Sequence, residues 1–133
     1  MLELTMATVA DDQGAGAGAT AGMQMAEAPS SPGAVLRVGR DRAQCRLVTP
    51  DDWLFVSRVH LEFVCGPSGA WTVHWLRGSH AEPSSRVRLL TGGTAHDLDY
   101  GSVTPLPHGG SGELIVEDRS APRTVNVGFY HEP

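Results

Sequence analysis

The 133-residue sequence contains no lysine: all ten basic residues are arginine. That absence excludes a phosphate-loop nucleotidase, whose lysine reaches the terminal phosphates, and a pyridoxal enzyme, whose lysine forms the Schiff base. It equally excludes regulation by lysine acetylation. Asparagine (Asn126) and isoleucine (Ile115) occur once each, a usage that points to a GC-rich bacterial genome. No run approaches the roughly 18 apolar residues of a spanning helix. The opening Met1-Leu2-Glu3-Leu4 has no basic segment and no long apolar one. No secretion signal is therefore expected, and the expected compartment is the cytosol. Cys45 and Cys65 have no paired motif, and in a cytosolic protein two reduced, buried thiols are expected. The histidines (His60, His74, His80, His96, His108 and His131) form no i,i+2 or i,i+4 pair, and C-x-x-C is missing. Neither a metal nor another cofactor is expected.

Net charge is −5 and unevenly placed. Residues 1–33 hold Glu3, Asp11, Asp12 and Glu27 and no base, whereas residues 34–133 set ten arginines against eleven acids. An acidic chain without a basic stripe lacks the electrostatic footprint of a nucleic-acid binder, and it has no polybasic membrane anchor. The size fits one domain with a single core.

What is abundant is glycine and proline, 16 and 9 residues. They concentrate first in residues 10–33, where Gly, Ala, Ser and Pro bury too little area to offset ordering entropy. A flexible insertion is expected there. Before it, Leu2, Leu4 and Met6 alternate with Glu3 and Thr5, so residues 1–9 predict a first strand. From Ala34 on, short period-2 segments are broken by turn residues about every 8–12 positions. Such segments are Val35–Val38, Cys45–Val48, Val59–Cys65, Trp71–Leu76, Val87–Leu90, Ala95–Leu98, Val103–Leu106, Leu114–Glu117 and Thr124–Phe129. The expected class is all-β, a sandwich of two antiparallel sheets over residues 34–133 joined by the first strand. Trp71 and Trp75 share a strand face and are expected in the core, while Trp53, beside Asp51 and Asp52, is expected to be exposed.

Two turn edges combine charge with hydroxyl groups: Gly39-Arg40-Asp41-Arg42 after one strand and Ser57-Arg58-Val59-His60 before another. Arginine offers a rigid fork of donors matched to phosphate or carboxylate. Gly39 permits either a positive φ or a close backbone approach. Ser57 and His60, three apart on an extended segment, make a poor nucleophile–base pair, and no G-x-S-x-G elbow exists. An enzyme is therefore not expected.

Val38-Gly39-Arg40-Asp41, Cys45-Arg46-Leu47-Val48, Val56-Ser57-Arg58-Val59-His60-Leu61-Glu62-Phe63 and Trp71-Thr72-Val73 together resemble the forkhead-associated (FHA) domain. Leu98, Gly101, Val103 and Leu106 are similar to its late strand signal. The resemblance implies an FHA-like β-sandwich that binds phosphothreonine through loops at one end. In that case Arg40 reaches the phosphate and adjacent peptide, Ser57 donates its hydroxyl, and Arg58 adds a second cation. His60 buttresses the loop and Gly39 shapes the approach to Arg40. The family's asparagine after the Trp71 strand is missing from Arg77–Arg86, where Ser79 and His80 are the candidate replacements. The implied partner is a protein phosphorylated on threonine by a Ser/Thr kinase, in a signalling role. The alternative is a structural adaptor with the FHA fold that docks in a larger assembly independently of phosphate. Thr8, with Asp11 three residues on, resembles a target pattern of the same family, which would let the chain occupy its own site.

Overall fold

The computed structural model describes residues 1–10 and 19–133, with side chains from Met23 onward in the second segment. The described residues form eleven strands. They are β1 (Leu2–Ala10), β2 (Ala19–Ala28), β3 (Val35–Gly39), β4 (Leu47–Val48), β5 (Leu61–Cys65), β6 (Trp71–Trp75), β7 (Ser85–Thr91), β8 (Thr94–Asp97), β9 (Val103–Pro105), β10 (Gly110–Asp118) and β11 (Arg123–His131). They form a six-stranded sheet in the order β2-β1-β11-β10-β7-β8 and a five-stranded sheet in the order β4-β3-β5-β6-β9. The six-stranded sheet is antiparallel throughout.

Period-2 alternation explains the pairing of the sheets. Leu2, Leu4 and Met6 on β1, Val125, Val127 and Phe129 on β11, and Leu114 and Val116 on β10 all face inward and are buried. Against them pack Leu36 and Val38 of β3, Leu61 and Phe63 of β5, and Trp71, Val73 and Trp75 of β6. Fully burying each large side chain is worth about 1.5–3 kcal/mol, and this sets the register, because a one-residue slip would turn the whole set to solvent. Cys45 and Cys65 are both free and buried.

Four expectations are corrected. Ala19–Ala28 is not part of a flexible insertion: it is strand β2, paired with β1 from Leu2↔Ala28 to Ala10↔Ala19. Its small side chains give no alternation signal, yet Ala26 and Ala28 are buried, and the Gln24 amide grips the Val48 backbone, accepting its N–H (2.8 Å) and donating to its carbonyl (2.6 Å). Of the rest of that expectation, Ala10 ends β1, residues 29–33 form a turn bonded to the core, where the Trp71 indole N–H donates to Ser30 Oγ (3.0 Å) and the Gly33 N–H to Cys65 O (2.9 Å), and residues 11–18 lie outside the described residues. The five-stranded sheet is mixed, since β4 runs parallel to β3; the pairing is so short that the turn held by Asp41 suffices as the crossover. Trp53 is buried, because Arg123 lies over its ring and that of Phe55 at 5.4 and 5.3 Å. Thr8 is buried within β1, between β2 and β11, so it is not presented as a ligand for the chain's own site; Asp11 lies outside the described residues.

Candidate functional site

The loops β3–β4, β4–β5, β6–β7 and β8–β9 converge on a cleft of about 580 Å³. Its walls include Arg40, Ser57, Arg58, His60, Ser79 and His80, together with Leu54, Phe55, Gly78, Pro83, Ser85 and Tyr100. Residues 17 positions apart in the chain are thus brought together, and every predicted site residue except Gly39 lines the cleft.

Gly39 acts from behind. Its φ is not positive; the close approach is what demands glycine. A Cβ there would collide with the Arg58 carbonyl oxygen and lie 2.9 Å from that of Ser57. The proximity lets Arg40 N–H bond to Ser57 O (3.2 Å) and Asp41 N–H to Arg58 O (3.0 Å), stitching the two loops. The Cys45 thiol also donates to Arg58 O at 3.3 Å. Burial, with the Asp41 carboxylate nearby, pushes that thiol's pKa up and keeps it protonated. The Asp41 carboxylate closes its own turn: the Gln44 amide and Ala43 N–H, at 2.7 and 2.9 Å, hold its pKa below the ordinary value.

Arg40 is aimed by backbone rather than by a carboxylate. Its Nε donates to Val56 O at 2.5 Å and one terminal nitrogen to Asp51 O at 3.4 Å. Among the described residues the ion pairs are Arg37–Glu62, Arg88–Glu117 and Arg123–Asp118. Neither Arg40 nor Arg58 is neutralised in this way. The cleft therefore holds two guanidinium groups and the hydroxyls of Ser57 and Ser79 with donor capacity to spare, an arrangement suited to an anion.

His60 is the post beneath the β4–β5 loop. It is buried just before β5 begins, which breaks the alternation predicted from Val59. Its Nδ1 accepts the Ser57 N–H at 2.9 Å, so the neutral ring carries its proton on Nε2, 3.2 Å from Ser85 Oγ. Burial depresses its pKa to about 4. Both ring nitrogens are committed to structure, and neither serves as a base for Ser57 Oγ.

Two contributors escaped the sequence reading. Tyr100 accepts the Gly78 N–H (2.7 Å) and donates to the His80 carbonyl (3.1 Å), while the Arg77 guanidinium stacks over its ring at 4.7 Å. It thus fixes the loop that carries Ser79 and His80. Its only sequence signal is an aromatic beside Gly101, a turn glycine with φ +83°. Ser85 opens β7 in phase with buried Val87 and Leu89, so extending the alternation by one step would have found it. Asn126 lies on β11 and does not line the cleft. Among the described residues no group of acids, histidines and cysteines is arranged to hold a metal, and no helix is long and apolar enough to cross a membrane.

No family model matches the sequence, and no curated protein is found to be similar. Solved structures are similar in fold. An engineered FHA domain with a Myc-pTBD peptide superposes with a TM-score of 0.64 at 14% identity, covering 98% of this chain and 92% of that one. The N-terminal FHA domain of Rad53p from S. cerevisiae, in complex with a phosphothreonine peptide, gives 0.58 at 13% identity, covering 96% and 94%. A longer Rad53 chain, residues 1-466 in complex with AMP-PNP, gives 0.52 at 12% identity, and the match spans 30% of its length. The chain has the forkhead-associated fold.

Proposed function

We propose that this chain is a non-enzymatic module that binds phosphothreonine on a partner protein, in the cytosol, downstream of a Ser/Thr kinase. The observation that carries the reading is the convergence of Arg40, Ser57 and Arg58 on one cleft with no carboxylate paired to either arginine among the described residues. Phosphothreonine brings a charge of roughly −1.5 to −2 and three acceptor oxygens. Arg40, held by two carbonyls, supplies a pre-aimed fork; Ser57 adds a hydroxyl and Arg58 an exposed second cation. Ser79 and His80 are the polar groups available to the ligand's main chain, and Gly39 and His60 support the loops. The solved N-terminal FHA domain of Rad53p in complex with a phosphothreonine peptide is consistent with this reading.

The test is a titration of a phosphothreonine peptide library against its unphosphorylated twin. Selective binding of the phosphorylated set is expected, and equal or absent binding refutes the proposal. Arg40→Ala should weaken binding by about 100-fold or more and Arg58→Ala by about 10-fold, since charge-assisted bonds are worth about 1.5–3 kcal/mol each. The opposite ranking would reverse the assigned roles.

One observation favours a second reading, a phosphate-independent adaptor. The β6–β7 loop carries no asparagine, and the His80 carbonyl is already bonded to Tyr100. A partner retained in a pull-down after phosphatase treatment would select this reading over the first.

A further inference from the structure

The aim of Arg40 is only as firm as the segment that carries its two acceptors, the carbonyls of Asp51 and Val56. That segment, Pro50–Val56, lies between β4 and β5. It closes on itself through Trp53 N–H to Pro50 O at 3.1 Å and Val56 N–H to Trp53 O at 3.0 Å. Bonds internal to a loop fix its shape but not its placement against the sheets. The placement comes from its two rings. Trp53 and Phe55 lie 5.5 Å apart at a tilt of 32°, and the Arg123 guanidinium, from the first residue of β11 in the opposite sheet, covers both.

Arg123 is itself held in one orientation. The buried Asp118 carboxylate, at the end of β10, accepts its Nε at 3.1 Å and a terminal nitrogen at 2.7 Å on one oxygen. The other carboxylate oxygen accepts the Ser120 N–H and hydroxyl at 2.9 and 3.0 Å. With both carboxylate oxygens engaged, the plane of the guanidinium is set across the two rings. The same β10–β11 turn grips the opposite wall of the cleft. Arg119 donates its backbone N–H to Ser84 O and its Nε to Ser85 O, both at 3.1 Å. Ser84 and Ser85 line the cleft, whereas Asp118, Arg119 and Arg123 do not.

We propose that Arg123 is a positioning residue for the cleft: stacked on Trp53 and Phe55, it fixes the carbonyls of Asp51 and Val56 and, through them, the direction in which Arg40 presents its free donors. Arg123 adds no charge to the ligand, because its charge is already paired with Asp118. It acts through the flat face that it lays on the rings, which lysine lacks. A fork fixed before the anion arrives loses less freedom on binding, so the gain appears as affinity. The effect on affinity rests on the phosphothreonine reading of the cleft; the aim of Arg40 does not, since its bonds to the two carbonyls exist without a ligand.

Nuclear magnetic resonance of the full, isotope-labelled chain without peptide reads the aim directly. Arg123→Gln should speed hydrogen exchange at Arg40 Nε–H by about 10-fold. Exchange at Arg37 Nε–H, bonded to Glu62, and at the Val127 backbone N–H inside the six-stranded sheet should stay at wild-type rates. Arg123→Lys, which keeps a cation beside Asp118, should show the same local change. An unchanged Arg40 rate in both variants overturns the proposal, and so does equal acceleration at Val127, the mark of general destabilisation. Affinity for a phosphothreonine peptide provides the second readout. Arg123→Gln should weaken it by about 10-fold in the wild-type and Arg58→Ala backgrounds, but by less than about 2-fold in Arg40→Ala, where nothing is left to aim. An equal loss in all three backgrounds overturns the positioning role. Absence of phosphopeptide binding by the wild type refutes the phosphothreonine reading alone, and the exchange rates at Arg40 then decide the proposal.

Discussion

Lowering the pH from about 7 to about 5 should remove about 2 kcal/mol of folding stability through His60 alone. The unfolded chain protonates this ring near its ordinary 6.5, whereas burial holds the folded ring neutral down to about 4. Between those values the unfolded state binds the extra proton. Stability is therefore complete above the ordinary value, falls as the pH drops through the window, and levels off below about 4. The full gap of about 2.5 units corresponds to about 3 kcal/mol, most of it expressed by pH 5. Protonation also turns Nδ1 into a donor facing the Ser57 N–H, so the loop bearing Ser57 and Arg58 is the first structure to lose its support. Urea denaturation at a series of pH values, followed through Trp75, whose ring lies 5.9 Å from His60, gives the free energies. The control is His60→Gln, whose carbonyl can accept the same N–H without titrating. It should be less stable at neutral pH and nearly flat across the window. If wild type and His60→Gln lose stability in parallel, the assignment to His60 is wrong.

Three further outcomes are expected. Gly39→Ala forces a Cβ against the Arg58 and Ser57 carbonyls and should cost about 2–3 kcal/mol, a fall in Tm of about 10 °C, with weaker phosphopeptide binding; an unchanged Tm by calorimetry would contradict the close-packed interpretation. Tyr100→Phe keeps the stack with Arg77 but loses the bonds to Gly78 and His80, so hydrogen exchange at the Gly78 amide should accelerate by about 10-fold while global stability falls by no more than about 1 kcal/mol. At Asp118, burial alone would raise the pKa, but the Ser120 N–H, the Arg123 guanidinium and the Ser120 hydroxyl outweigh it and hold the carboxyl below its ordinary value. Asp118→Ala should therefore cost about 2–3 kcal/mol in chemical denaturation, the lower end because Arg123 can turn to water.

The parts of the fold written as alternation were readable from residue order. Leu61/Phe63/Cys65, Trp71/Val73/Trp75 and Val125/Val127/Phe129 each mark an inward face, and all became strands at nearly the expected bounds. β2 was not readable, because alanine, glycine and methionine carry no contrast between faces; its strand state comes from its neighbour β1 and from one glutamine side chain. Trp53 was misplaced because its burial depends on Arg123, seventy positions away. The two arginine-bearing turns were visible as local motifs, and their juxtaposition in one cleft followed from the family resemblance. The role of Tyr100 was hidden for the same reason as that of Trp53: a hydroxyl bonded to a distant loop leaves no local pattern.

The pairing of β1 with β11 sets Leu2 opposite His131, and this has a consequence for biogenesis. β1 sits inside its sheet, flanked on one side by a strand translated more than a hundred residues later. Until β11 leaves the ribosome, the β1–β2 pair is cut off from β10, β7 and β8 of its own sheet, and an isolated pair of strands is marginal in water. Folding then waits on the most non-local contact in the molecule, which places the rate in the slow range of milliseconds to seconds and exposes the nascent hairpin to aggregation or chaperone capture.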